Sequence, residues 1–446
     1  MNHKYIPHTE SDINEMLEKI KVSSIKELFK EIPEKVKLNR DYDLPSSLSE
    51  IEVEAKIAEL TNMDQTDLTC FVGAGSYDHY IPSIIKHLTS RSEFYTAYTP
   101  YQPEVAQGTL QYIFEFQTMM TELTNMDVCN ASMYDGATSC AESIVMAVNQ
   151  TRRNKVLISS ALNPYTIETI KTYAHFRGYE IIMLANDSGL LSTNDLASKL
   201  DKDVACVVLS NPNFYGLIEN PSEYVEKIHE NKSLLIMMVN PLSMALLKTP
   251  GEIGADIVCG EAQTLGIPLS FGGPYLGFIC TTKKYMRKMP GRICGQTTDV
   301  DGKRAFVLTL QAREQHIRRD KANSNICSNQ SLNALAATIY LATMGKQGVV
   351  EVCEQNLQKA HYAYENIISL PQFETVFEQP FFNEFVVKST IDYQVIKEAL
   401  LKEKMISGLH LGEFDESLKN HLLFCVTEKR TKAEIDKLVQ VLGGLK

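Results

Sequence analysis

Between residues 155 and 282 the chain repeats one pattern: a short apolar run, a polar turn, a helical stretch, then another apolar run. VLIS at 156–159, EIIML at 180–184, VACVVLS at 204–210, LLIMMV at 234–239 and DIVCG at 256–260 are too short for helices, and they lack a polar alternation. A strand that is apolar on both sides must be covered on both faces. Helical stretches at 164–177, 194–200 and 221–230 supply the covers. The pattern predicts a doubly wound, mostly parallel α/β sheet with ligands beyond the carboxyl ends of its strands. LGFICTT at 276–282 reads as a further strand of that sheet.

With 446 residues the chain is too long for one small core, and its flanks differ from the middle. Residues 1–65 read as a helical arm, with Ser11 capping a first helix, Ser24 starting a short second one and a third over Ser49–Leu60. Residues 66–330 form the large domain. Residues 331–446 read as a small α+β domain: helices at 330–344, 350–370 and 391–402, strands EFVVKS (384–389) and HLLFCVT (421–427), and a final helix opened by the capping box Thr431 to Glu434.

Several function classes are disfavoured. The net charge of −11 argues against nucleic acid or an anionic membrane as the main partner. MNHKYIPHTESDI has no apolar leader region and no stretch is long enough to span a bilayer, so the cytoplasm is expected. The ten cysteines lack metal-ligand spacing and read as reduced core thiols; His8 and His316 read as surface or pairing residues, and no metal is expected. In CFVGAGSYDHYIP, Gly73 and Gly75 lack the third glycine and the βαβ setting of a nicotinamide fingerprint, which disfavours NAD.

Four stretches hold candidate chemistry. The loop after DIVCG carries Gln263, Thr264 and Ser270 and closes on the turn Gly272-Gly273-Pro274. In MYDGATSC the small residues Gly136, Ala137, Thr138 and Ser139 open a helix, as a phosphate cup or as a plain cap. FYTAYTPYQPEVAQG, residues 94–108, offers flat aromatic faces with hydroxyl handles, suited to a ligand site or interface, or to a packed interdomain crossing. Arg287, Arg292, Arg313, Arg318, Arg319 and Lys321 make a basic cluster, either an anion site or an ion-paired, solvated face.

Taken in order, YIPHTESDINEML, FVGAGSYDHYIP, FYTAYTPYQPEVAQG, SNPNFYGLIE, GEAQTLGIPLSFGGPYLGF and PGRICGQTTDVDGKRAFVLTLQAREQHIRRDKANSNICSNQ resemble the glycine cleavage system P-protein family. The likeness is to that protein's N-terminal half made as a separate subunit, and it runs from Tyr5 to about Gly345. It implies the aminotransferase-like fold type I of PLP-dependent transferases. It also implies PLP-dependent decarboxylation of glycine, CO2 release and transfer of the aminomethyl group to the lipoyl arm of an H protein.

The resemblance further implies an α2β2 heterotetramer in which a homologous subunit 2 covalently holds the PLP. The family lysine then aligns with Gln263, whose carboxamide nitrogen cannot form a Schiff base. The acid that holds the pyridine nitrogen aligns with Asn240. The cup Gly136–Ser139 becomes a relic, and this chain carries no cofactor covalently. Tyr95, Thr96, Tyr98, Tyr101 and Gln102 are the candidate wall of a shared site. Two alternatives are a self-sufficient PLP enzyme using Lys248 or Lys283, and a purely structural or regulatory partner.

Overall fold

The strand Val204–Asn211 sends Val204, Val207 and Leu209 to one side and Ala205, Cys206 and Val208 to the other, and none of the six is exposed to solvent. Each face therefore meets its own core. In this computed structural model, which describes Tyr5, residues 7–65 and residues 67–446, that strand lies inside a seven-stranded sheet, third from one edge. The strands are β1 (Val128–Cys129), β2 (Lys155–Ser159), β3 (Glu180–Leu184), β4 (Val204–Asn211), β5 (Leu234–Val239), β6 (Ile257–Glu261) and β7 (Gly277–Thr281). Their order across the sheet is β1-β7-β6-β5-β4-β2-β3.

Strands β3, β2, β4, β5 and β6 run parallel. Strand β7 does not continue the parallel run; it pairs antiparallel with β6 and with β1. The connection 262–276 contains no helix to carry the chain across a face, so it can only turn back beside the strand it left. The helices Gly136–Thr151 and Pro164–Arg177 cover one face, and Gln107–Thr124 with the start of Ser331–Ile368 covers the other. Each large side chain fully buried between these layers contributes roughly 1.5–3 kcal/mol.

The long helix Ser331–Ile368 serves two cores. Ala334, Ala337 and Tyr340 belong to the large-sheet core; Ala360, Ala363 and Ile367 belong to a second core beneath a four-stranded antiparallel sheet. Gly345 separates the halves with φ 61° and ψ −178°, a break that glycine adopts without steric cost. The four-stranded sheet includes Glu384–Ser389 and His421–Cys425, and the capping box of Thr431 with Glu434 opens the closing helix Lys432–Gly443. Thr69–Cys70 pairs with Met405–Ile406, so the segment entering the body joins the C-terminal layer.

The residues before Asp67 form a separate unit. Its first helix, Glu10–Lys19, is capped by Thr9 in a box with Asp12 rather than by Ser11, which lies one residue inside the helix. Glu50–Thr61 follows Ser49 in a second box with Glu52. Neither helix has a buried residue; Met16, Ile20, Ile51 and Ile57 are all exposed. Met1 to Lys4, Ile6 and Thr66, which include most of the opening of the expected leaderless terminus, lie outside the described residues. All ten cysteines are free, eight of them buried.

Candidate functional site

A cavity of about 310 Å³ opens beyond the carboxyl ends of β4, β5 and β6, where a parallel sheet places its ligands. Ser210 and Asn213 reach it from the end of β4, Asn240 from the end of β5 and Glu261 from β6. Ala74 to Tyr77 close a further side, and Glu384 of the C-terminal sheet closes another. Among the described residues, no lysine, arginine or histidine lines the cavity.

The expected cup is present as backbone, but the N–H groups of Gly136, Thr138 and Ser139 are taken. Asp135 caps the helix Gly136–Thr151, its carboxylate accepting the Thr138 N–H at 2.7 Å. Glu261 fills the space in front of Gly136: its Oε2 accepts the Gly136 N–H at 3.0 Å, and its Oε1 accepts the N–H groups of Leu276 at 2.9 Å and Gln263 at 3.1 Å. The fit is tight enough that a Cβ on Gly136 would stand 2.9 Å from the Cβ of Glu261. The Ser139 hydroxyl donates to the Asp135 carbonyl at 2.6 Å instead of facing the cavity. Two acids thus occupy a helix N-terminus whose partial charge favours an anion.

Burial pushes the Glu261 carboxyl up to about 7, against the lowering effect of its three N–H donors. Glu384 is likewise pushed up to about 7 by burial, while accepting the Ala74 N–H at 2.6 Å and the Tyr77 hydroxyl at 2.7 Å. Neither carboxyl has a cation against it to favour the charged form.

Gln263 is locked. Its Oε1 accepts the Tyr77 N–H at 2.9 Å, and its Nε2 donates to the carbonyls of Tyr77 at 3.0 Å and Ile267 at 2.7 Å. The carboxamide, 1 % exposed, is a brace between two loops and does not line the cavity. Asn240 does line it, but its Oδ1 accepts the Leu242 N–H and the Thr264 hydroxyl, both at 3.1 Å. Lys248 and Lys283 are exposed and lie outside the lining.

Tyr95, Thr96, Tyr98, Tyr101 and Gln102 are exposed, and none of them lines this cavity. The segment is not a packed crossing. Its ends are fixed: Phe94 packs against the cluster around Tyr112 and Phe306, and Gln107 exchanges two hydrogen bonds of 2.9 Å with the backbone of Phe306. Of the basic cluster, Arg287, Arg318, Arg319 and Lys321 stay at the surface, whereas Arg292 is buried. Burial pushes the half-buried Arg313 down to about 10, opposed by Glu314.

Sequence reasoning passed over Asp135, Glu261 and Glu384. Glu261 had a visible signal, an acid at the carboxyl end of a strand otherwise free of charge. Glu384 had none, because only the folded chain brings it against Ala74 and Tyr77. The Gly73–Gly75 segment was weighed as a nucleotide fingerprint and instead forms cavity wall.

The family model for the glycine cleavage system P-protein matches residues 3–442. The chain belongs to that family. Among the relatives of this P-protein family chain, the "Probable glycine dehydrogenase (decarboxylating) subunit 1" of Desulforamulus reducens is 53% identical, covering 99% of this chain and 100% of the relative. The protein of the same description from Listeria monocytogenes serotype 4b is 52% identical, covering 100% and 99%. Among solved structures, a glycine decarboxylase (P-protein) of the glycine cleavage system in inhibitor-bound form superposes with a TM-score of 0.90 at 37% identity, covering 99% of both chains. A sphingosine-1-phosphate lyase from Burkholderia pseudomallei (TM-score 0.67, 13% identity, 92% and 93% covered) shares the fold type I architecture.

That fold carries pyridoxal phosphate in other proteins; a C-DES variant of the same architecture holds glycine covalently linked to it (TM-score 0.63, 13% identity, 85% and 97% covered). The cavity of this P-protein chain does not fit the group. A phosphate would meet Asp135 and Glu261 where it needs free N–H donors, the locked amide of Gln263 cannot form an imine, and Asn240 offers a pyridinium no negative charge.

Proposed function

We propose that this chain is the cofactor-free subunit of a two-subunit glycine decarboxylase of the glycine cleavage system. The observation that carries the reading is Glu261 seated on the Gly136 N–H within a chain of the P-protein family. A homologous subunit 2 holds the pyridoxal phosphate, and decarboxylation of glycine takes place on that subunit. The aminomethyl group then passes to a lipoylated H protein. This chain supplies architecture and, through the exposed segment with Tyr95, Thr96, Tyr98, Tyr101 and Gln102, one wall of the shared site, which orients glycine and excludes water. The assembly is an α2β2 heterotetramer in the cytoplasm; among the described residues no helix is long and apolar enough to cross a membrane.

The test is a visible spectrum and an exchange assay of labelled bicarbonate into glycine, with the purified chain, with subunit 2, and with both. The expected result is cofactor absorbance only where subunit 2 is present and exchange only where both are. A yellow isolated chain that yields pyridoxyl-lysine on borohydride treatment would overturn the reading. A purely structural or regulatory role is the second reading, favoured by the fact that none of the exposed Tyr95, Tyr98 and Tyr101 lines this chain's own cavity. A tyrosine-to-phenylalanine series that leaves the kinetics of the complex unchanged would select it.

A further inference from the structure

Tyr101 is 47 % exposed, yet its hydroxyl is held from inside the protein. Arg292, 4 % exposed, enters the hairpin of Ile293–Thr298 with Arg304–Thr309. Its Nη2 donates to the Tyr101 hydroxyl oxygen at 3.0 Å, and its guanidinium carbon lies 5.3 Å from the centre of the Tyr101 ring. The same Nη2 stands 3.6 Å from the Cys327 Sγ. On its other side, Arg292 Nε is 3.8 Å from Glu314 Oε2, and that carboxylate is 3.6 Å from His316 Nδ1, whose ring packs edge-on to Tyr101.

The direction of the bond between Arg292 and Tyr101 is fixed by chemistry. A guanidinium has five N–H donors and no acceptor, so the phenol oxygen must be the acceptor. The O–H of Tyr101 is left over, and among the described residues nothing accepts it. A cation lodged against the oxygen also polarises the O–H, strengthening it as a donor. The Glu314 carboxylate, 3.8 Å from Arg292 Nε and not hydrogen-bonded to it, balances the buried charge.

We propose that Arg292 is a positioning residue which sets Tyr101 as an outward hydrogen-bond donor to an anionic oxygen, of the carboxylate class, at the site this chain shares with its partner subunit. The inference rests on the reading of residues 95–102 as a wall of that site. The ligand it fits is the carboxylate of an amino-acid substrate. Among the described residues no cation lies against the hydroxyls of Tyr95 and Tyr98, so Tyr101 carries this role among the three.

The experiment uses the assembled complex of both subunits with Tyr101→Phe, Arg292→Lys and the double variant, reading kcat and KM for glycine separately. Each single change should raise the KM for glycine about tenfold, the size expected for one lost hydrogen bond to a charged group, with a smaller change in kcat. The double variant should be no worse than Tyr101→Phe, because both changes break one chain of contacts. A raised KM in Tyr101→Phe with an unchanged Arg292→Lys, or additive losses in the double variant, would overturn the role of Arg292 while leaving the shared wall standing. Unchanged kinetics in Tyr101→Phe would remove the shared wall at this residue and the proposal with it. Failure of Arg292→Lys to assemble, where Tyr101→Phe assembles normally, would show Arg292 acting on the fold instead of through Tyr101, and also overturns it.

Discussion

The cavity beyond β4 to β6 and the segment around Tyr98 treat their polar groups in opposite ways. In the cavity, Asp135, Asn240, Glu261 and Glu384 line a ligand-sized space but are bonded to the chain itself, and Gln263 behind them is sealed by three hydrogen bonds. In the segment, Tyr95 and Tyr98 are 69 % and 80 % exposed, large aromatic groups that a monomer has no reason to present to water. The groups of the cavity are spent on holding the fold, while the hydroxyls of the segment face outward. Location on a familiar fold is therefore a poor guide to where this chain acts; the satisfaction of its polar groups is a better one.

The comparison predicts that changes in the cavity cost stability and changes in the segment cost function. The largest expected effect is from Gln263→Lys. It strands the Tyr77 N–H, since an ammonium cannot accept, and places a charge at a buried position, and we expect a loss of roughly 2–4 kcal/mol in denaturant unfolding. The isolated variant should show at most weak, borohydride-trappable pyridoxal phosphate binding and no decarboxylation. An autonomous decarboxylase from this single change would break the contrast altogether.

Next in size is a pH effect. Burial raises Glu261 and Glu384 from 4.5 to about 7, so between those values the folded chain keeps protons that the unfolded chain has released. Their contribution to stability is complete below pH 4.5 and is lost as the pH rises through about 7. Glu384→Gln keeps an acceptor for the Ala74 N–H and lets the Tyr77 hydroxyl turn, and it should remove on the order of 3 kcal/mol of that decline. Urea midpoints measured from pH 4 to pH 8 check it; an unchanged slope would mean that the carboxyl ionises freely inside the fold.

A third change reverses the character of the cup. The double variant Asp135→Ser, Glu261→Ser should bind inorganic phosphate, read by calorimetry, at concentrations where the wild type binds none, because it removes two acidic side chains and frees the Gly136 N–H at a helix start. The smallest effect on stability belongs to Tyr98→Phe, expected within about 0.5 kcal/mol of wild type. If the segment is a wall of the shared site, that variant should still lower glycine turnover in the complex several-fold.

The sheet was legible because a strand buried on both faces has to be apolar along its buried stretch, as β2, β4, β5 and β6 are, and because the partly buried edge strand β3 is apolar after Glu180. The antiparallel return of β7 was less so, since its sequence looks like its neighbours' and only the missing crossover helix betrays the direction. At the site, Gln263 stood out because the resemblance to the family sets an amide against a lysine at that position. Its actual role as a brace depends on Tyr77, 186 residues earlier in the chain, and no local pattern announces such a contact. The same holds for Arg292, which reads as one of six basic residues until folding buries it behind Tyr101.

The two capped helices of the N-terminal unit bury nothing, and this ties their order to mass action. Helices of 10 and 12 residues are near the length at which an isolated helix is marginal in water, and their capping boxes contribute only about 1 kcal/mol each. If subunit 2 covers Met16, Ile20, Ile51 and Ile57, it supplies the rest, and the helical population of this unit then follows the concentration of that partner. Far-ultraviolet circular dichroism of the chain titrated with subunit 2 should then show more helix than the two separate spectra sum to. On that condition this unit would act as a meter of assembly, reading out how much of the complex has formed.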